Sequence, residues 1–320
     1  MKDKMREAIE SFQEQFRYEP KISNLVGSLA KFDKFAIFGM GGSGLIGDAL
    51  NFLKPELDLL THKGYGLPKI DLSGRLLIFI SYSGNTEEVL DAFEKALEKG
   101  HHIAVISTGG ELIKRAKKVG ALYIEIPKTG IQPRMATGYM ILAALEFFSE
   151  GSLKKELSSA AARLKNIESG GELMAKNLIG KVPVIYSSRE NSALAYNWKT
   201  KFNETGKIPA FFNTFSELNH NEISGFDSIS TTKDLTSKFA FIFIKDKEDH
   251  PRVTKRMKVL EDMYKKRDLL TLTVNLEGKN RSEKLINAIS LIDWSAYHLA
   301  KLYIVESNEV PLIEEFKKKL

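Results

Sequence analysis

Two stretches of this 320-residue chain set glycines and hydroxyls where an anion can be held. Gly39-Met40-Gly41-Gly42-Ser43-Gly44 follows the apolar run FAIF (35–38) and opens the helical pattern LIGDALNFL. Glycines at such a junction let backbone approach a ligand, and the free N–H groups of a helix start favour negative charge. Ser81-Tyr82-Ser83-Gly84-Asn85-Thr86-Glu87-Glu88 follows LLIFI (76–80) and opens VLDAFEKALEKG. Asn85 with Glu88 three residues later predicts a capping box. Capping leaves Ser81, Ser83 and Thr86 unexplained, and three hydroxyls beside main-chain N–H groups suit a phosphate monoester. Neither loop is followed by the lysine of a nucleoside-triphosphate site, so the phosphate reads as a handle rather than the reacting group. The first loop also satisfies G-x-G-x-x-G, but a dinucleotide site wants a second strand ending in an acid about 20 residues on. PELDLLTHKGYGLP instead places Asp58 mid-segment with a poor strand signal.

The elements around these loops alternate. After an expected first helix (1–16), strands are predicted at 35–38, 76–80, 102–108 and 122–127, each followed by a helical pattern. The last of those helices is MATGYMILAALEFFSE (135–150). Residues 151–180 carry helical patterns with a Gly-Gly break and read as a connector. Strands follow at 182–188, 238–245 and 269–276, again alternating with helices, and VPLIEEFKKKL (310–320) closes the chain as a terminal helix. Such alternation predicts α/β domains with parallel sheets covered on both faces. The expected organisation is a first domain at 1–150 with the phosphate loops, a connector at 151–180, and a second domain at 181–320. The two halves suggest a pseudo-repeat without residue-level similarity.

Composition removes several classes of function. There is no cysteine, which excludes disulfides, thiolate nucleophiles and cysteine-based metal sites and fits a reducing cytosol. His62, His101, His102, His220, His250 and His298 form no H-x-x-x-H or H-E-x-x-H pattern, so no metal and no cofactor are expected. The 47 Lys+Arg are set against 41 Asp+Glu, a net charge of only +6. The densest basic stretch, 255–268, spaces Met257, Leu260, Met263 and Tyr264 at helical intervals, so its lysines are a solvated helix face rather than a nucleic-acid footprint. The first residues, MKDKMREAIESF, contain no apolar signal core. The apolar stretch at 139–148 is broken by Glu146 and falls short of the roughly 20 residues a membrane span needs. A soluble, cytoplasmic protein with a small-molecule partner, and no nucleic-acid or membrane partner, is expected.

GMGGSGLIGD (39–48) and SYSGNTEEVL (81–90) resemble the signature loops of the sugar isomerase (SIS) domain. QPRMATGYM (132–140), KFNETGKIPAF (201–211) and ELNHNEISGF (217–226) extend the resemblance over the chain to the bifunctional phosphoglucose/phosphomannose isomerase family. That resemblance implies two doubly wound, three-layer SIS domains, with the active site between them, in a homodimer. It implies interconversion of glucose 6-phosphate, fructose 6-phosphate and mannose 6-phosphate through a cis-enediolate. Gly42, Ser43, Ser81, Ser83 and Thr86 would hold the 6-phosphate, and Arg134 would stand beside the reacting carbons. Glu204 would be the base, and His220, donated by the neighbouring subunit, would open the ring with Lys317. These residue types suit the chemistry. A carboxylate can carry a proton between carbons, an imidazole exchanges protons near neutral pH, and a guanidinium stays charged beside an enediolate.

Each residue also has an ordinary reading. Glu204 can be a solvated helix-end acid, the polar run around His220 an exposed helix start, and Lys317 a cation complementing a helix C-terminus. Arg134, after Pro133, would ordinarily lie at the surface. Residues 304–311 depart from the family's usual turn, with Asn308 nearest to a threonine linked to acceptance of both C2 epimers. The alternative is a non-catalytic phosphosugar-binding SIS regulator, which binds without turnover.

Overall fold

A computed structural model describes residues 3–25, 27–29 and 32–319. Met1, Lys2 and Leu320, at the ends of two expected helices, lie outside the described residues. The chain divides into two compact units, Met1–Leu164 and Lys165–Leu320.

The first unit begins with α1 (Lys4–Glu10), capped by the Asp3 carboxylate, and continues as a 3-10 segment, Phe12–Arg17. The helix expected through residue 16 therefore tightens after its first turns. There follow β1 (Lys34–Phe38), α2 (Gly41–Leu53), β2 (Asp58–His62), β3 (Arg75–Ile80), α3 (Glu87–Glu98), β4 (His102–Ser107), α4 (Gly110–Lys118), β5 (Leu122–Glu125), α5 (Thr137–Phe147) and α6 (Gly151–Ala162). All five strands are parallel, in the order β2-β1-β3-β4-β5. Alternation along the strands sorts the two faces. Ala36, Phe38, Leu77, Phe79, Ile103 and Val105 pack with Val89, Phe93, Leu112 and Ile113 of α3 and α4. On the opposite face Phe35 packs against Phe148 at the end of α5. Both faces are thus apolar and covered, as a parallel sheet requires.

The second unit contains α7 (Glu168–Asn177), β6 (Val182–Ser188), α8 (Ser192–Glu204), β7 (Phe211–Phe215), α9 (Lys233–Thr236), β8 (Phe239–Lys245), α10 (Pro251–Lys265), β9 (Leu270–Asn275), α11 (Arg281–Leu302) and α12 (Pro311–Lys317). Its sheet is parallel, in the order β7-β6-β8-β9. The two units therefore repeat one topology. In each, the first strand is flanked by the second on one side and the third on the other.

Two strands, β2 and β7, lie outside the sequence expectation, and they occupy the same place in the two sheets. Both are five-residue edge strands that are only partly buried, DLLTH and FFNTF, so neither presents the continuous apolar run of a central strand. Asp58 opens β2 and pairs with Arg75 at 2.6 Å, at the opposite end of the strand from a dinucleotide acid. Residues 151–180 are apportioned between the units. In α6, Ser158 donates to the Phe16 carbonyl at 2.7 Å, while Gly171 of α7 packs so closely on α11 that a Cβ would lie 2.4 Å from Trp294 Cβ. The basic helix α10 buries Met257, Leu260 and Tyr264 as expected, but Met263 faces outward.

The most deeply buried charged pair among the described residues lies in the second unit. Lys201 of α8 and Asp293 of α11 are 0% and 2% exposed, with Lys201 Nζ 2.5 Å from Asp293 Oδ1. Removing one member of a buried pair leaves an uncompensated charge, whereas replacing both by apolar groups is often neutral. Asp293→Ala should therefore lower stability by about 3–5 kcal/mol. The double variant Lys201→Met/Asp293→Leu should recover most of that loss, as read by urea unfolding midpoints.

Candidate active site

In the first unit the two loops foreseen as anion-binding leave neighbouring strands. β1 and β3 pair directly, and each runs into a helix start, α2 after β1 and α3 after β3. The strand order reverses between them, which is where open α/β sheets bind ligands. Neither helix start is closed by a side chain. Met40 and Thr86 occupy the N-cap positions of α2 and α3 without a side-chain bond to the helix. The first-turn N–H groups are left for other partners.

The expected capping box does not form. Asn85 Oδ1 instead accepts from Glu111 N at 3.0 Å and closes the start of α4. The physical reason is the chain path: Gly84, at φ +74°, brings the 81–86 loop against Gly109. A Cβ on Gly84 would lie 1.9 Å from the Gly109 carbonyl oxygen, so only glycine fits.

The hydroxyls divide into two sets. Ser43 and Ser81 are buried and shape the loops: Tyr82 N donates to Ser43 Oγ at 3.1 Å, and Gly84 N donates to Ser81 Oγ at 3.0 Å. Ser81 and Thr86 share a hydroxyl–hydroxyl bond of 2.8 Å. Ser83 is exposed and Thr86 half-buried, so these two are the hydroxyls open to a ligand.

Arg134 is 1% exposed, in a 3-10 turn (Pro133–Met135), not on the surface where its neighbours in sequence would place it. Its backbone rests on the first turn of α2. A Cβ on Gly42 would lie 2.7 Å from Arg134 N and 2.8 Å from the Pro133 carbonyl carbon. Gln15 pins the same turn from the N-terminal segment, donating to the Met135 carbonyl at 2.6 Å and accepting from Gly138 N at 2.9 Å. Nothing in the sequence singles out Gln15; a buried glutamine far from the loops carries no local motif. The first unit thus brings together Gly42, Ser43, Ser81, Ser83, Thr86 and Arg134.

In the second unit Glu204 is the last residue of α8 and is half-buried. Lys207, in the left-handed region at φ +57°, folds back to donate to the Glu204 carbonyl at 2.7 Å and also bonds the Glu309 carbonyl. The end of α8 is thereby tied to the turn containing Asn308. Asn308 is buried, its amide donating to Glu309 Oε1 at 2.7 Å. Lys207 is a further contributor to the site that the sequence reading passes over.

His220 ends a 3-10 segment (Glu217–His220) that follows β7 directly. Its flanking polar side chains are engaged. Asn221 donates to Glu217 Oε1 at 3.0 Å, Arg256 to Asn219 Oδ1 at 3.4 Å, and Tyr186 to Glu222 Oε1 at 2.6 Å. Among the described residues the exposed His220 imidazole has no such partner. Lys317 is exposed on α12 and pairs with Glu314 at 2.8 Å, the i,i+3 contact of an ordinary helix surface.

Comparison with known proteins follows the same lines. Residues 167–320 match the family model of the bacterial phospho-glucose isomerase C-terminal SIS domain. A bifunctional phosphoglucose/phosphomannose isomerase of Caldicellulosiruptor bescii is 34% identical over 99% of this chain and 98% of its own length. One of Aquifex aeolicus is 32% identical over 99% of this chain and 98% of its own length. The fold is also that of the C-terminal domain of glucosamine-fructose-6-phosphate aminotransferase from Francisella tularensis, at TM-score 0.69 and 14% identity over 96% of each chain. The chain belongs to the bifunctional phosphoglucose/phosphomannose isomerase family.

Proposed function

We propose that this protein is an aldose–ketose isomerase of hexose 6-phosphates, interconverting glucose 6-phosphate, fructose 6-phosphate and mannose 6-phosphate. The observation that carries the reading is the pair of uncapped helix starts beside a buried arginine in the first unit, in a chain of this family. Two helix N-termini and the Ser83 and Thr86 hydroxyls, on loops shaped by Gly42, Ser43 and Ser81, offer a dianionic phosphate many donors at fixed distance.

After the ring opens, the reaction moves one proton from C2 to C1 and a second from O2 to O1, and it neither oxidises nor reduces the sugar overall. Glu204 takes the C2 proton of the open aldose and returns it at C1. Arg134 holds the charge that develops on the enediolate oxygen. His220 and Lys317 exchange the ring-opening protons. Making both C2 epimers with one base requires presenting either face of the enediolate, so the substrate turns about C2–C3 between proton transfers. Phosphorylated sugars do not cross membranes unaided, so a cytoplasmic location matches both this substrate and a cysteine-free chain.

A homodimer in which His220 serves the partner's site accounts for its unpartnered, exposed imidazole. It also accounts for the apolar surface at the end of the chain, where Ile304 is 94% and Leu312 77% exposed. Such a patch on a lone chain marks an interaction surface.

In a coupled assay, fructose 6-phosphate should yield both glucose 6-phosphate and mannose 6-phosphate, with rates unchanged by EDTA; binding without turnover would establish the regulator instead. Glu204→Gln should lower kcat by about 10²–10⁴-fold with phosphosugar binding retained. Gly42→Ala, which drives a methyl into the Pro133–Arg134 backbone, should raise KM for every substrate together. Mixing inactive His220→Ala and Glu204→Gln homodimers should restore turnover after subunit exchange, because one site then has both groups. Continued inactivity of the exchanged mixture would place His220 in the same subunit's site.

A further inference from the structure

We propose that Glu222 is the positioning residue of the His220 loop, its carboxylate clamped between β6 and β7 so that the imidazole two residues earlier is held while making no bond of its own. The proposal rests on the ring-opening role assigned to His220 above.

Both carboxylate oxygens of Glu222 are engaged. Tyr186 of β6 donates its hydroxyl to Oε1 at 2.6 Å, and Asn213 of β7 donates its amide to Oε2. Asn213 Oδ1 is committed to Thr214 N at 2.7 Å, which turns the Nδ2 end of the amide toward Glu222. Tyr186 is itself immobile. It is 0% exposed and its ring touches those of Phe215, Phe241 and Phe243. Burial, with Tyr264 and the Glu222 carboxylate adding to it, pushes the Tyr186 hydroxyl well above the ordinary tyrosine range, so it stays a donor. At the other end of the loop Leu218 is buried in the same core as Phe215 and Tyr186. The Glu217-Asn221 hydrogen bond spans His220.

The loop therefore has an apolar anchor before His220 and a charged one after it. Hydrogen bonds to a charged acceptor are the stronger kind, and here they join three segments of chain. A carboxylate accepts from both partners at once and carries the charge that strengthens both bonds. A glutamine would present an amide N–H to one of them.

That polarity supplies the test. Glu222→Gln keeps the side chain's size but removes the charge and puts an amide N–H against one of the two partners. The expected result is a fall in kcat of about 10–100-fold with KM changed by less than about threefold, the signature of a displaced catalytic group rather than a damaged binding site. Adding Asn213→Asp reverses the hydrogen bond, with the introduced glutamine amide donating to the introduced carboxylate, and restores the wild-type net charge. The double variant should recover most of the lost kcat. The proposal is overturned if Glu222→Gln retains wild-type kcat, or if Asn213→Asp restores thermal stability but not kcat. His220→Ala, assayed in parallel, separates the two ideas. Full activity in His220→Ala would refute the role given to His220. A slow His220→Ala beside an unaffected Glu222→Gln would refute the positioning role alone.

Discussion

The direct pairing of β1 with β3 is the constraint on which the first unit's chemistry depends. Because β2 lies on the other side of β1, the chain after β1 and the chain after β3 leave the sheet in adjacent places. Two helix starts then converge, and their first-turn N–H groups cannot bond within their own helices. Ordinarily a serine, threonine or aspartate would satisfy them. Here Met40 cannot, and Thr86 bonds Ser81 instead. The helix starts remain without a side-chain cap, and the glycines at 42 and 84 are what allow the chains to come so close.

The second unit repeats the topology and uses it differently. At its corresponding strand ends, after β6 and β8, the crevice is filled by the protein's own groups. Asn191 donates to Asp249 Oδ1 at 2.9 Å and to Ser188 Oγ at 3.0 Å, while Asp246 N donates to Asp249 Oδ2 at 3.0 Å. Lys284, itself buried, pairs with Asp246 at 2.7 Å and Glu248 at 2.8 Å. Burial raises the Asp249 carboxyl above its ordinary range. His250 caps α10 through its ring nitrogen, accepting from Arg252 N at 3.1 Å. At the helix starts themselves, α8 has no side-chain cap and its Ser192 and Leu194 N–H groups bond backbone carbonyls, while α10 is closed by His250. One topology thus carries glycine- and hydroxyl-rich loops in the first unit and a network of buried charged side chains in the second.

What the sequence made legible follows from this. The central strands were readable because burial on both faces gives continuous runs such as LLIFI and FAFIFIK. The edge strands β2 and β7 were not, because exposure on one side dilutes the signal to DLLTH and FFNTF. The loops announced themselves through glycine and hydroxyl content, but the division of labour among the hydroxyls did not. Ser43 and Ser81 face inward and Ser83 outward, and only chain path decides that. Asn85 illustrates the same limit. Its spacing to Glu88 fits a capping box within one helix, yet its oxygen serves the start of α4, which lies 26 positions on and is adjacent only in space. Arg134 inverted its local expectation, since burial comes from α2 and Gln15 rather than from its own neighbours.

The same physics explains why the groups proposed to move protons sit where they do. A phosphate keeps its charge throughout the reaction, and a helix N-terminus is suited to a charge that stays. A base must accept a proton and give it back, and a cluster of main-chain N–H donors that locks in the charged form would oppose that work. Glu204 stands at the C-terminal end of α8, where carbonyls rather than N–H groups face outward, and the nearby cation Lys207 is bonded to the carbonyls of Glu204 and Glu309. The polar residues flanking His220 in sequence are likewise bonded to other groups and not to its exposed imidazole. In the proposed reaction the static charge is given to fixed dipoles in the first unit. The groups proposed to exchange protons lie in the second, where hydrogen bonds hold the backbone and the neighbouring side chains.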